Sequence, residues 1–153
     1  MDRVITAKMI AEYFLTKDAM TQKKIQKLVY YAYVWYIVDN NDTNNISNVL
    51  FNEKPQAWVH GPVFPSLYEE YRNFGRENIP KLDSITIKLN ENIKKFLDEI
   101  WGIFGRYDGD ELEILTHKEE PWIKARRGIA ATAPSNEKIT DTDIYNYYSM
   151  LEA

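Results

Sequence analysis

His60 and His117 are the only histidines of the chain, and it has no cysteine. A metal site would need both imidazoles together with carboxylates such as Glu119 or Glu120. Neither histidine has a second ligand three or four residues away on a clear helix, so nothing local builds a chelate. Both read as histidines hydrogen-bonded near turns. The lack of thiols removes disulfides, thiolate nucleophiles and Cys-ligated zinc. Asp108, Asp110, Glu111 and Glu113 form an acidic cluster that could carry acid–base chemistry. Their spacing fits a helix N-terminus better, where free amides and the helix dipole favour negative charge. The cluster also lacks the glutamate that closes a calcium loop. Lys118, Lys124, Arg126 and Arg127 make a basic run interleaved with Glu119, Glu120 and Trp122. In a chain of net charge −4 this run reads as a solvated face, because nucleic-acid binding needs a basic field. No catalytic, metal or cofactor set emerges, and no cofactor is expected.

The elements that would position these residues are mostly helical. Ala7, Ile10, Ala11 and Phe14 form one stripe after an N-cap at Thr6, which predicts a helix over 6–15. Thr21 opens a second helix. Ile25, Leu28, Val29, Ala32, Trp35 and Tyr36 share one face, and Lys23, Lys24, Gln26 and Lys27 cover the other in its first half. From Tyr30 onward it is apolar all round, as a central helix or a binding surface would be. Asp39 to Asn48 is a polar loop. Val49–Phe51 and Ala57–Val59 could pair as a short hairpin, with Pro55 against it. Gly61-Pro62 reads as a turn, and Pro65 as first-turn residue of a third helix reaching Phe74. Ser66 and Glu69 have capping-box spacing there. Ile85, Ile87 and Leu89 alternate as a strand would. Ile93, Phe96, Leu97, Ile100, Ile103, Phe104 and Tyr107 predict a helix over 91–107. Asp108 with Glu111 opens a short helix to about Thr116, Pro121 another, and Thr140–Asp143 a last one with Ile144, Tyr147, Tyr148 and Leu151 on its stripe. The 153 residues, 44% of them apolar, suffice for one domain over 1–153, mainly α, with a minor β element near the Gly-Pro turn. Leu28 to Val38, the longest apolar run, is too short to span a bilayer. The charged N-terminal stretch is unlike a signal peptide. A cytoplasmic protein is expected.

Three segments, TQKKIQKLVYYAYVWY, LFNEKPQAWVHGPVFPSLYEEYRNFG and THKEEPWIKAR, occur in that order. Together they resemble the SocA/GepA-like family, also called the Panacea antitoxin domain. The first motif is carried by Ile25, Gln26, Lys27, Leu28, Tyr30 and Ala32. The second is carried by Ala57, Trp58, Gly61, Pro62, Val63, Pro65 and Tyr68, and the third by Thr116, His117, Pro121 and Trp122. Tyr31 stands where the family often has Phe, and Ile25 where Leu is common. The resemblance implies a bacterial or prophage-encoded, non-enzymatic protein that neutralises a toxin encoded nearby by direct contact, some members acting as adaptors to a protease. The motif residues are expected to be structural. Tyr30, Tyr31, Val34 and Tyr145, off the apolar stripes, are the candidate partner contacts. One alternative is an enzyme or small-molecule binder with a pocket near His60 and Tyr68. Another is a nucleic-acid-binding regulator of its own operon, disfavoured because no helix shows a basic recognition face.

Overall fold

The computed structural model describes residues 4–85 and 88–151 of the chain. Helix α1 (Ala7–Leu15) starts where the Thr6 hydroxyl accepts from the Met9 N–H. The Glu53 carboxylate accepts from the Ala7 N–H at 2.8 Å, which closes the loop after the second helix over this end. Strand β1 (Met20–Thr21) leads into α2 (Gln22–Asp39), where Thr21 caps the Lys24 N–H. Helix α2 is the axis of the molecule. It packs against α1, the later helices α4 (Glu91–Phe104), α5 (Gly109–His117) and α7 (Asp141–Leu151), and a hairpin. That surround explains an apolar circumference: every side of α2 meets another element.

The hairpin does not form where the apolar runs place it. Val49–Phe51 stays outside any strand. Instead β2 (Gln56–Trp58) pairs antiparallel with β3 (Gly61–Val63), in register Gln56 to Val63 and Trp58 to Gly61. Gly61-Pro62 is therefore the start of the second strand and the reversal falls at Val59-His60. Pro62 is tolerated because a two-stranded ribbon leaves its nitrogen off the ladder. The 137–139 segment adds to the free edge of β2: Ala57 N–H donates to Glu137 O and Ile139 N–H to Pro55 O.

Helix α3 (Pro65–Tyr71) begins one residue before Ser66, with extended Phe64 at its cap. Ser66 then lies inside the first turn, and no Ser66–Glu69 capping box forms. A 3₁₀ turn (Arg72–Phe74) follows, so the α-helix itself stops short of Phe74, which is exposed. Strand β4 (Asn78–Ile79) pairs with β1. Of the expected alternating run, Ile87 lies outside the described residues, and Ile85 and Leu89 are in no strand. Helix α4 ends at Phe104, three residues short of Tyr107, and leaves Ile103 exposed. The Asp108–Glu111 capping box of α5 is present in both directions. Helix α6 (Glu120–Ala125) carries Pro121 in its first turn. On α7, Ile144 and Tyr148 are buried while Leu151 is exposed.

Ile25, Leu28, Ala32, Leu97, Ile100 and Phe104 share the core as expected, whereas Trp35 is half-buried at its margin. Leu28 is fully enclosed. Leu28→Ala is expected to destabilise the chain by roughly 2–5 kcal/mol, from lost transfer energy plus a residual cavity. Urea denaturation of the two proteins measures it.

A lysine-floored groove at the motif junction

The three sequence motifs meet around the hairpin. From α2, the Gln26 amide pairs with the backbone of Phe64: its Oε1 accepts from Phe64 N–H at 2.9 Å and its Nε2 lies 3.3 Å from Phe64 O. From α6, Trp122 Nε1 donates to Trp58 O at 2.9 Å. Arg126 Nη1 donates to Ala57 O at 2.8 Å, and its Nη2 reaches Ala130 O and Ala133 O. Arg126 is buried by these bonds and leaves the basic run, whereas Lys118, Lys124 and Arg127 are exposed, as a solvated face requires. Arg127 pairs with Glu120, and Lys124 with Asp143.

Between these clamps lies Lys27. It was expected on the solvated face of α2 with Gln26, yet both are buried, Lys27 to 1% exposure. Gly61 makes the space. A Cβ there would stand 2.6 Å from Lys27 Cε, 3.0 Å from Thr116 Oγ1 and 3.2 Å from Lys27 Nζ. Gly61 also has φ +111°, a region in which side chains are strained. Lys27 makes no ion pair among the described residues. The carboxylate whose field reaches it is Glu113. Both Glu113 oxygens are already engaged, Oε1 by Lys23 Nζ at 2.7 Å and Oε2 by His60 Nδ1 at 3.1 Å. Burial therefore wins and lowers the Lys27 amine from 10.5 to about 7. On α5, Thr116 turns its hydroxyl to Glu113 O. His117 stacks on Trp122 at 3.9 Å, its Nε2 buried without a partner among the described residues, and burial lowers its pKa.

Lys27 floors a groove of about 1040 Å³ whose walls include Trp58, His60, Val63, Tyr68, Lys23, Arg76 and Arg106. The Tyr68 ring is packed 5.0 Å from Trp58 and remains 40% exposed. His60 and Tyr68, singled out in the sequence as a pocket pair, do border one cavity. A smaller hollow of about 500 Å³ lies beside Trp58, Val59 and His60 towards Pro134. Among the described residues no cluster of His, Asp or Glu is arranged to hold a metal, and no helix is long and apolar enough to cross a membrane.

The chain matches the family described as "Antitoxin SocA-like, Panacea domain" over residues 25–123, well over half its length. It belongs to that family. The matched span of this Panacea protein opens on the first turns of α2 and closes within α6, so it contains Gln26, Lys27, Trp58, Gly61, Phe64, Thr116 and Trp122 of the junction, while Lys23 and Arg126 lie outside it. No curated protein and no solved structure matches the chain.

The remaining expected contacts are placed differently. Tyr30, Tyr31 and Val34 are buried inside the domain, and Tyr145 is half-buried on α7. They lie off the main stripe of α2 but not at a surface, because α4 and α7 cover them. Tyr31 stacks on Phe104 with centroids 4.1 Å apart. Tyr31 and Tyr148 hydroxyls donate to Glu119 Oε1 at 2.6 and 2.8 Å, and Tyr30 OH lies 3.2 Å from Tyr148 OH. Burial raises Glu119 to about 6 against these two donors. Sequence patterning gave no signal for Lys27 as a site. The available hint was a lysine inside the first motif together with a glycine in the second.

Two outcomes follow from the Lys27–Gly61 contact. Gly61→Ala should cost more than about 1 kcal/mol from backbone strain and overlap, and the cost should shrink, without vanishing, in a Lys27→Ala background. A double-mutant cycle in urea reads both. A lysine with a lowered folded pKa binds its proton more weakly than in the unfolded chain, so its contribution to stability is full above 10.5 and is lost as pH falls through about 7. The ionisable groups that act on it are Glu113, Lys23 and His117, and the first two remain charged across that range. The stability advantage of Lys27→Met over the native chain should therefore be larger at pH 6 than at pH 9, by roughly 2–3 kcal/mol.

Proposed function

We propose that this Panacea protein is an antitoxin that neutralises a toxin encoded beside it by direct protein–protein contact. The observation that carries the reading is the family match, which covers Lys27, Trp58, His60 and Tyr68 of the groove. The physical character of the chain supports it. A proteinaceous inhibitor needs a fixed surface with aromatic and charged anchors and has no need of reacting groups. The groove supplies such anchors in Trp58, Tyr68, Lys23 and Arg106. Delivery of the captured toxin to a protease would use the same contact, with the protease acting on the complex. The protein works in the cytoplasm on this reading, where its toxin is made.

A second reading, a small-molecule binder or enzyme in the same groove, is favoured by one observation: His60, Tyr68 and the low-pKa Lys27 border one cavity. The two separate on co-expression with the product of the adjacent gene. The antitoxin reading predicts growth rescue and co-purification as a complex. Failure of both, together with turnover of a small molecule that is lost in His60→Ala, would overturn it in favour of the enzyme.

A further inference from the structure

We propose that the groove floored by Lys27 is the contact through which this chain holds its protein partner. It receives a carboxylate-bearing segment, with the acid group against the Lys27 ammonium and an apolar or aromatic neighbour against Trp58 and Tyr68. The proposal rests on the antitoxin reading for the partner's being a protein, and goes beyond it in naming the surface and the recognised chemistry.

Three observations carry it. Lys27 is the one lysine of the groove without a carboxylate or carbonyl of its own among the described residues. Lys23 is held by Asp110 and Glu113, and Lys24 donates to Gly105 O at 2.6 Å beside the Trp101 ring. A buried, unpaired ammonium weakens a fold, and an apolar side chain of similar length would be the better filler. Here the chain instead keeps a lysine and a glycine whose missing side chain makes room for it. A device that lowers the stability of the free protein and sits at the base of an opening is what a ligand site looks like.

The charge around the opening sets the ligand's sign. Five cationic side chains and three carboxylates line the groove, in a chain of net charge −4. The three carboxylates are occupied, Asp108 and Glu111 with each other's backbone in the capping box and Asp110 with Lys23. A monoanion fits better than a phosphate. The floor offers a single ammonium rather than a bidentate fork or a cradle of amides. The N-terminus of α5 at the rim is already capped by its own acids, which would repel a dianion. At about 1040 Å³ the opening lies at the upper end of small-molecule sites, and Tyr68 stands exposed at its lip as an anchor for a chain that continues outward.

The test uses the full chain, first with its protein partner and then with small probes. Affinity for the adjacent gene product is measured by calorimetry for the native protein, Lys27→Met and Tyr68→Ala. Lys27→Met should melt no lower than the native protein and bind roughly thirtyfold or more weakly. Tyr68→Ala, at an exposed position, should keep the melting temperature and also weaken binding, so a folding failure of the first variant leaves the second to decide. Equal affinity of the folded variants would overturn the groove while leaving the antitoxin reading in place. No binding by the native protein would overturn the antitoxin reading instead. The groove is then judged by ¹⁵N–¹H NMR with acetyl-Phe-Glu-Phe-amide, its Gln counterpart and inorganic phosphate. Shifts at Gly61 and the Trp58 indole with the Glu peptide alone, absent in Lys27→Met, support the carboxylate site. Shifts with phosphate only, or with no ligand, overturn it.

Discussion

The close approach of Lys27 to Gly61 is the constraint around which the rest of the structure is arranged. A lysine side chain is buried there only because the opposite strand has no side chain at that point. Keeping the backbone of β3 that near α2 needs restraint from both sides. Gln26 provides it from α2 by pairing with both polar groups of Phe64. Trp122 and Arg126 provide it from α6 and beyond by taking the outward carbonyls of Trp58 and Ala57. An amide pairing with a backbone is directional, and a guanidinium saturating three carbonyls is rigid. Together they fix a two-stranded ribbon that would be marginal alone.

A second buried polar centre locks α2 against the other end of the chain. Glu119, between α5 and α6, accepts from Tyr31 on α2 and Tyr148 on α7. Lys54 does similar work at the surface, bonding Tyr33 OH and Asp141 while Tyr33 OH donates to Asp141 at 2.6 Å. Apolar contact would hold these helices together in several registers; hydroxyl-to-carboxylate bonds admit one. The abundance of tyrosine in α2 is thus an internal matter. Each phenol buries a ring and spends its hydroxyl on a specific partner.

What was legible in the sequence is local. Thr6, Thr21 and Asp108 cap helices because their side chains reach amides three residues on, and that geometry needs nothing from the remainder of the fold. Ser66 shows the limit. The same spacing fails because Phe64, tied to Gln26, starts the helix a residue early. The hairpin was misplaced by the same kind of cause: its register is set by Gln26 and by the 137–139 segment, both remote in sequence. The exposure of Tyr30, Tyr31 and Val34 depended on whether α7, more than a hundred residues away, lay over them. Periodicity identifies an apolar face but not what covers it. Lys27 was invisible for the converse reason. A lysine beside Lys23 and Lys24 in a polar half-turn reads as solvated, and only the glycine across the fold shows otherwise.

The state of Lys27 tests this account most directly. With ¹⁵N-labelled lysine, the Nζ signal of each residue is followed through pH, Lys27 being assigned by its loss in Lys27→Met. A buried amine without a counter-ion should titrate near 7, well apart from lysines in water near 10.5. A midpoint at 10 or above would mean that the ammonium is paired or hydrated in the free protein, and the groove would have no unsatisfied cation to offer a partner.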